Sequence, residues 1–355
     1  MAKTAGILTA TLGAAAFCVA WNTSAAAQQA TVEGPRVSWD YSIWGPPRVA
    51  SAGIEALARH VQERTGGRFT IRIHYGGALS AGPDNLDNIK LGAFQMATIC
   101  TSYHPGKNPG LTVLDLPFLP LSDRRVHWRV HMAVYNHPYI VEEFRRWNAG
   151  LVLSILQPQS ELMGRGRPIE RLEDFRGRRI RALGGTGEAL RRLGAVPTTM
   201  QATEVYNALE RGIIDAVAFP FTYSFAAYRI NEISSWYTTN LAPGANNCPS
   251  VVNLNALNRL PPQYRQLIEE GKEKAFEALV EAQTAAEQRD LAAWRQAGLR
   301  EITYGQDVLD EIRRVGGQPV WDEWVRNMER QGVPGRELLD LVLNKAREYS
   351  QQAQR

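Results

Sequence analysis

The chain has 355 residues, is 44% hydrophobic, and carries 40 basic against 36 acidic side chains for a formal charge of +4. That apolar share argues against disorder, and the length allows one large or two medium lobes. The basic residues are scattered along the chain instead of forming a basic stretch, which argues against a nucleic-acid partner.

The first segment, "MAKTAGILTATLGAAAFCVAWNTSAAAQQA", has one early charge at Lys3, an apolar run to about Trp21, and small residues at Ala25 and Ala27. It reads as a secretory signal over residues 1–27, cut between Ala27 and Gln28. A membrane anchor is the alternative, but the run is short and ends in an alanine cleavage site. Phe17 is too large to precede a lipid-modified Cys18. No later stretch approaches the ~18 apolar residues of a membrane span, so the mature chain is expected to be soluble. Cys100 and Cys248 then remain in an exported protein, where one disulfide and two buried thiols are both open readings.

Next, "RVSWDYSI" alternates as a strand and stops at "WGPP", and "RVASAGIEALARHVQERTGG" has helical spacing closed by Gly66 and Gly67. "RFTIRIHY" predicts a second strand, "NLDNIKLGAF" a short helix and "QMATICTSY" a buried strand. This β-α-β-α-β order predicts a parallel sheet with covering helices. After the helical "RRVHWRVHMAVYNHPYIVEEFRRWN" comes a second set: strands "GLVLSILQ" and "RRIRAL", helices "GEALRRLGA" and "ATEVYNALERG", and strand "IDAVAFPF". "PSVVNLNAL" predicts one more strand, and a long helix opened by prolines runs from Pro261 to about Gly298. The expected fold class is α/β, with two lobes joined by crossing segments and a long helix. A ligand would sit between the lobes, at the carboxyl ends of strands.

Chemistry concentrates in "RRIRALGGTGEALRRLGA", residues 178–195. Arg181 ends a predicted strand, and Gly184, Gly185 and Gly187 lie where the chain turns into a helix whose first N–H groups are free for an anion. The glycine spacing is not that of a nucleotide-binding loop, and a bidentate arginine suits a carboxylate or sulfonate. Period 2 puts Arg181 on the same face as the solvated Arg179, so periodicity does not single it out. Loops after the strands carry Trp44, Tyr103, His104, Phe219, Phe221 and Tyr223, a set able to enclose an apolar or aromatic ligand body. Glu161 would accept from a ligand hydroxyl or remain a solvated loop carboxylate. Asn253 would donate to a carboxylate or satisfy backbone. The chain has no Gly-x-Ser-x-Gly, His-Glu-x-x-His or Cys-x-x-Cys pattern. His127 and His131 lack a third ligand and read as a helix-surface pair, so no metal or cofactor is expected. The alternative to a binding protein is a secreted enzyme for a small organic acid, with Glu161 or His104 as acid or base.

Five stretches then fall in one order: "HVQERTGGRFTIRIHYGGAL", "NLDNIKLGAFQMAT", "LTVLDLPFLP", "LEDFRGRRIRALGGTGEALRRLGAVPTTMQATEVYNALERGIIDAVAFP" and "VVNLNALNRLPPQYRQLIEEG". Together they resemble the periplasmic solute-binding subunits of tripartite ATP-independent periplasmic (TRAP) transporters of the dicarboxylate-type (DctP) family. The resemblance covers most of the mature chain. It implies a two-lobed periplasmic binding protein that closes on an organic acid and passes it to membrane permease subunits; a monomer is expected. It also implies a first lobe over residues 28–157 with a strand near 247–257, a second lobe over 158–246, and C-terminal helices over 258–355 bracing both. Arg181 occupies the family's carboxylate-binding slot, which is what separates it from its neighbours. Phe219 replaces an asparagine that often assists the carboxylate, and Ala218-Phe219 replaces the Glu-Trp pair of members that bind 2-oxo acids through a cation. Glu161 stands where sialic-acid-binding relatives have a second arginine, which argues against a ligand with two acid groups. The expected ligand is a monocarboxylate with an apolar or aromatic body, met by Arg181, Trp44, Tyr103, His104, Glu161, Phe219, Phe221 and Asn253. Cys100 and Cys248 would both lie near strands of the first lobe, where a disulfide is sterically plausible.

Overall fold

A computed structural model describes residues 1–2 and 31–353; the signal segment lies outside the described residues. From residue 31 onward the chain is one compact unit built on two sheets. The first sheet has the order β2-β1-β3-β10-β4, with β1 at Val37–Ser42, β2 at Phe69–His74, β3 at Met96–Thr98, β4 at Ala149–Ser154 and β10 at Pro249–Asn253. β1, β2 and β3 are parallel, as the alternation with helices α1 (Ala52–Arg64) and α2 (Asn85–Leu91) predicts, and β10 runs antiparallel between β3 and β4. The helical stretch before β4 is two helices, α3 (Arg124–Tyr135) and α4 (Pro138–Arg145), because Pro138 cannot continue α3 and instead opens α4.

The second sheet has the order β11-β9-β5-β8-β6-β7, from β5 (Ser160–Gly164), β6 (Arg179–Arg181), β7 (Val196–Thr198), β8 (Ala216–Pro220), β9 (Trp236–Thr238) and β11 (Arg300–Ile302). β6 is parallel to β7 and β8, so their carboxyl ends share one edge. Helices α5 (Gly184–Arg192), α6 (Val205–Glu210) and α7 (Tyr223–Ala227) follow β6, β7 and β8 respectively. β10 is shorter than expected, since the chain turns into α8 (Leu254–Arg259) directly after Asn253.

Two segments cross between the sheets, β4 to β5 and β9 to β10. Each holds a non-glycine residue in the left-handed region, Leu156 (φ 42°) and Ala242 (φ 43°). Helix α9 (Pro262–Gln296) has 35 residues, a reach of roughly 50 Å at ~1.5 Å per residue. Tyr264, Leu267, Ile268 and Ala275 bury it in the first sheet's core, whereas Trp294 joins the second sheet's core with Phe225 and Tyr237. α10 (Gln306–Gly316) packs Leu309 and Ile312 beside Leu190 of α5. α11 (Gln318–Arg330) and α12 (Gly335–Ala353) return to the first lobe against Val126 and Val130 of α3.

Candidate functional site

Arg181 is the last residue of β6 and is 1% exposed, whereas Arg179 two residues earlier lies at the surface and pairs with Asp215. Both share a strand face; what differs is that the strand's carboxyl end runs under the other lobe. The Arg181 guanidinium donates from Nε and Nη2 to the Met200 carbonyl at 3.2 and 3.0 Å and from Nη1 to the Ala218 carbonyl at 3.3 Å. These bonds aim it, but no Asp or Glu among the described residues lines the cavity beside it. Burial lowers its pKa, an effect that the nearby Tyr103 and Tyr228 phenols oppose. A buried, oriented and unpaired cation carries a desolvation penalty of roughly several kcal/mol that an anionic partner offsets.

The cavity, about 30 Å3, lies between the sheets. Trp44 and Arg48 reach it from the loop after β1, and Tyr103 from the 3-10 turn after β3. Phe219 at the end of β8, Tyr223 of α7 and Tyr228 at the C-terminus of α7 close it from the second lobe. The Arg181 guanidinium stands 4.8 Å from the Phe219 ring centroid, and Trp44 meets Tyr103 edge-on at 5.5 Å. The Ala202 N–H donates to the Tyr103 hydroxyl at 3.1 Å, a hydrogen bond from lobe to lobe. Cys100 and Cys248 form a disulfide on the cavity wall, joining the end of β3 to the entry of β10. Of the expected residues, the structure therefore brings together Arg181, Trp44, Tyr103, Phe219 and Tyr223.

Four others lie elsewhere. Glu161 sits on β5, 3% exposed, and accepts from the Thr238 hydroxyl and from the Leu241 and Ala242 N–H groups at 3.1 and 3.0 Å. It is thus neither a solvated loop carboxylate nor a ligand group: it anchors the β9–β10 crossing, and burial pushes its pKa up to about 7. Asn253 caps α8, accepting from the Ala256 N–H and donating to the Ile89 carbonyl, so its amide is spent inside the first lobe. Phe221 packs against Trp294 of α9 behind the cavity wall. His104 is buried, with neither ring nitrogen hydrogen-bonded, and does not line the cavity. Neither acid/base group of the enzyme reading reaches the cleft.

The glycine turn also differs from expectation. A Cβ on Gly184 would lie 2.8 Å from the Ser102 hydroxyl and one on Gly185 2.3 Å from the Asp115 carbonyl, so the start of α5 is pressed against the first lobe, and the two glycines border a separate cavity of about 440 Å3 and not the one beside Arg181. Asp115 itself is buried, accepts from Thr101, Ser102 and the Asn247 N–H, and is pushed up to about 6 by burial. His127 and His131 are not a surface pair: they are 4% and 1% exposed, with Nε2 atoms 3.0 Å apart and His131 Nδ1 2.8 Å from the Ser154 hydroxyl.

Sequence reasoning missed Arg48, Tyr228 and Gln157, all on the cavity. Arg48 was within reach of the rule that found Trp44, since both follow β1. Glu161 in the position of a second arginine argues against a ligand with two acid groups; Arg48 nonetheless brings a second arginine to the cavity from the opposite lobe.

Two α/β lobes, two interlobe crossings, a long helix spanning both, and a buried cation with aromatic walls in the cleft define a two-lobed solute-binding protein. The family model of the bacterial extracellular solute-binding protein family 7, DctP, matches residues 42–327, and the chain belongs to that family. The monocarboxylate 2-oxoacid-binding periplasmic protein of Nostoc sp. is 26% identical, covering 88% of this chain and 85% of its own length. The C4-dicarboxylate-binding periplasmic protein of Rhodobacter capsulatus is 25% identical, over 88% of this chain and 96% of its own. A marine-metagenome TRAP solute-binding protein specific for aromatic acids, solved with 3-hydroxybenzoate, superposes with a TM-score of 0.80 at 18% identity, covering 89% of this chain and 99% of that one. A Rhodoferax ferrireducens TRAP solute-binding protein with copurified benzoate gives 0.78 at 20% identity over the same shares. At these identities the two solved structures share the fold.

Proposed function

We propose that the protein is the periplasmic solute-binding subunit of a TRAP transporter, and that it captures a monocarboxylate with an aromatic or apolar body and presents it, chemically unchanged, to membrane permease subunits. Its lobes are residues 28–157 with the strand near 247–257, and 158–246, braced by 258–355; it acts as a monomer after loss of residues 1–27. The observation that carries this reading is Arg181: a buried cation with its donors directed by two carbonyls and no acidic partner on the cavity wall. Trp44, Tyr103 and Phe219 supply apolar surface for the body of the acid. Relatives that bind 2-oxo acids, C4-dicarboxylates and benzoate support the organic-acid class. At 1% exposure Arg181 is reached only when the lobes part, so binding is coupled to closure.

The test is a thermal-shift screen of the mature protein against aliphatic, 2-oxo, aromatic and sulfonated acids, because a ligand of the folded state raises its stability by mass action. Aromatic monocarboxylates should give the largest shift. No shift with any acid would overturn the reading, and conversion of a bound acid to a product would favour the enzyme.

A further inference from the structure

The cleft holds more unsatisfied polarity than one carboxylate accounts for. Arg48 spends Nη1 on the carbonyls of Trp44 and Pro46, at 2.7 and 3.0 Å, and lies over the rings of Trp44 and Tyr228 at 5.9 and 5.7 Å. These contacts fix the guanidinium without neutralising it. The Tyr228 hydroxyl is buried and makes no hydrogen bond. It reaches from the end of α7 to the first lobe, where Gly45 (φ 71°) makes room: a Cβ there would stand 2.4 Å from the hydroxyl oxygen. The Gln157 side-chain oxygen, in the β4–β5 crossing, is also buried, unbonded and on the same cavity.

These groups are set apart from the Arg181 guanidinium along a chain of ring contacts. Arg181 stands 4.8 Å from the Phe219 ring, Phe219 5.5 Å from Tyr228, and Tyr228 5.7 Å from Arg48. A flat acid held by Arg181 at one end and lying along Phe219 therefore has Tyr228 beside its ring and Arg48 next beyond. We propose that Arg48, Tyr228 and Gln157 form a second polar subsite, which takes a hydroxyl carried on the ring of the bound acid, remote from its carboxylate. The donor and acceptor inventory selects the hydroxyl. Arg48 only donates, the Gln157 oxygen only accepts, and the phenol does either; a ligand hydroxyl accepts from the first and donates to the second. A second carboxylate would satisfy Arg48 but set a negative oxygen against the Gln157 acceptor. A bare ring would leave the buried Tyr228 hydroxyl and Gln157 oxygen unsatisfied, at roughly 1–3 kcal/mol each.

This rests on the carboxylate reading of Arg181, and the experiment separates the two. Calorimetry would compare benzoate, 3-hydroxybenzoate, 4-hydroxybenzoate and isophthalate on the wild-type protein, on Tyr228→Phe and on Arg48→Met. One hydroxybenzoate should bind about tenfold or more tightly than benzoate, and isophthalate no better than benzoate. Tyr228→Phe and Arg48→Met should remove most of that preference, lowering hydroxybenzoate affinity severalfold more than benzoate affinity. Equal affinity for benzoate and both hydroxybenzoates, a preference for isophthalate, or a loss shared equally by benzoate and its hydroxylated forms would overturn the subsite with the carboxylate clamp intact. No binding of any of the four acids would overturn both.

Discussion

Replacing Arg181 by methionine removes the charge while keeping most of the side-chain volume, and the structure gives opposite signs for its effects on the free and liganded protein. In the free protein the substitution strips the Met200 and Ala218 carbonyls of their donors, at roughly 1–3 kcal/mol for acceptors left buried. It also removes an unpaired cation from a site 1% exposed, relieving a penalty of roughly several kcal/mol. The two nearly cancel, so the melting temperature of free Arg181→Met should stay close to wild type or rise. Binding has no such compensation: taking one partner from a buried ion pair costs roughly 3–5 kcal/mol, about a hundredfold to a few thousandfold in Kd. Arg181→Lys keeps the charge but loses the fork that reaches two carbonyls and a carboxylate together, so it should fall between the two. The assay is calorimetric titration with the best acid from the screen, beside a melting curve without ligand. Unchanged affinity in a stably folded Arg181→Met protein would refute the clamp, and so would a full recovery of binding in Arg181→Lys, since orientation would then count for nothing.

Phe219→Asn opens space beside the guanidinium and supplies an amide, so the ranking of acids should move toward smaller, more polar ones; an unchanged ranking by calorimetry would remove Phe219 from the recognition surface. Cys100→Ser with Cys248→Ser should lower stability by roughly 2–4 kcal/mol in urea denaturation, and a variant as stable as the oxidised wild type would count against a structural disulfide. Burial lowers the pKa of His127 to about 4 and takes that of His131 well below its usual value. Both bind protons more readily unfolded than folded, so their contribution to stability is complete above about pH 6.5 and is lost as pH falls toward about 4. The stability difference between wild type and His127→Leu should therefore shift in favour of the variant by roughly 3 kcal/mol from pH 7 to pH 4, and a pH-independent difference would refute the assignment.

The parts of the site legible in the sequence were those that follow from strand direction. Trp44, Tyr103 and Phe219 come just after or at the ends of β1, β3 and β8, which periodicity located; parallel pairing puts such ends on one edge within each sheet, and the two edges meet at the cleft. Arg181 is a different case. Local pattern made it the twin of Arg179, and only the family slot separated them, because burial at a strand's end depends on the lobe that covers it. Glu161 was misplaced because "SELMG" is buried at all five positions, leaving no alternation to reveal β5. Asn253 stands three residues before the N–H it caps, so a strand and a helix met inside one apolar run and were read as a single strand. β9 and β11 have three residues each, too few to show a period. Tyr228 comes from the end of a five-residue helix, and only the approach of Gly45 from the other lobe gives its hydroxyl a place in the cleft.

That approach explains why closure should depend on ligand. The cleft sets one arginine from each lobe on a single cavity, Arg48 from the first and Arg181 from the second, with no carboxylate on the wall between them. Among the contacts that join the lobes here, the Ala202–Tyr103 hydrogen bond is worth only about 1 kcal/mol net. Both crossings carry a residue with a side chain at positive φ, Leu156 and Ala242, at a cost on the order of 1–3 kcal/mol each. Buried carboxylates hold the β9–β10 crossing near each end, Glu161 at Leu241 and Ala242, and Asp115 at Asn247, so the segment is firmly anchored at both sheets and any bending falls between those anchors. The anion gains its contacts with both lobes only when they close. Moving such an equilibrium from 1:99 to 99:1 needs about 5.5 kcal/mol of differential affinity. A buried arginine–carboxylate contact and one further hydrogen bond from the opposite lobe are together of that size. The same arithmetic implies that a ligand engaging Arg181 alone would bind without fully closing the protein, so affinity and closure are separable by the choice of acid.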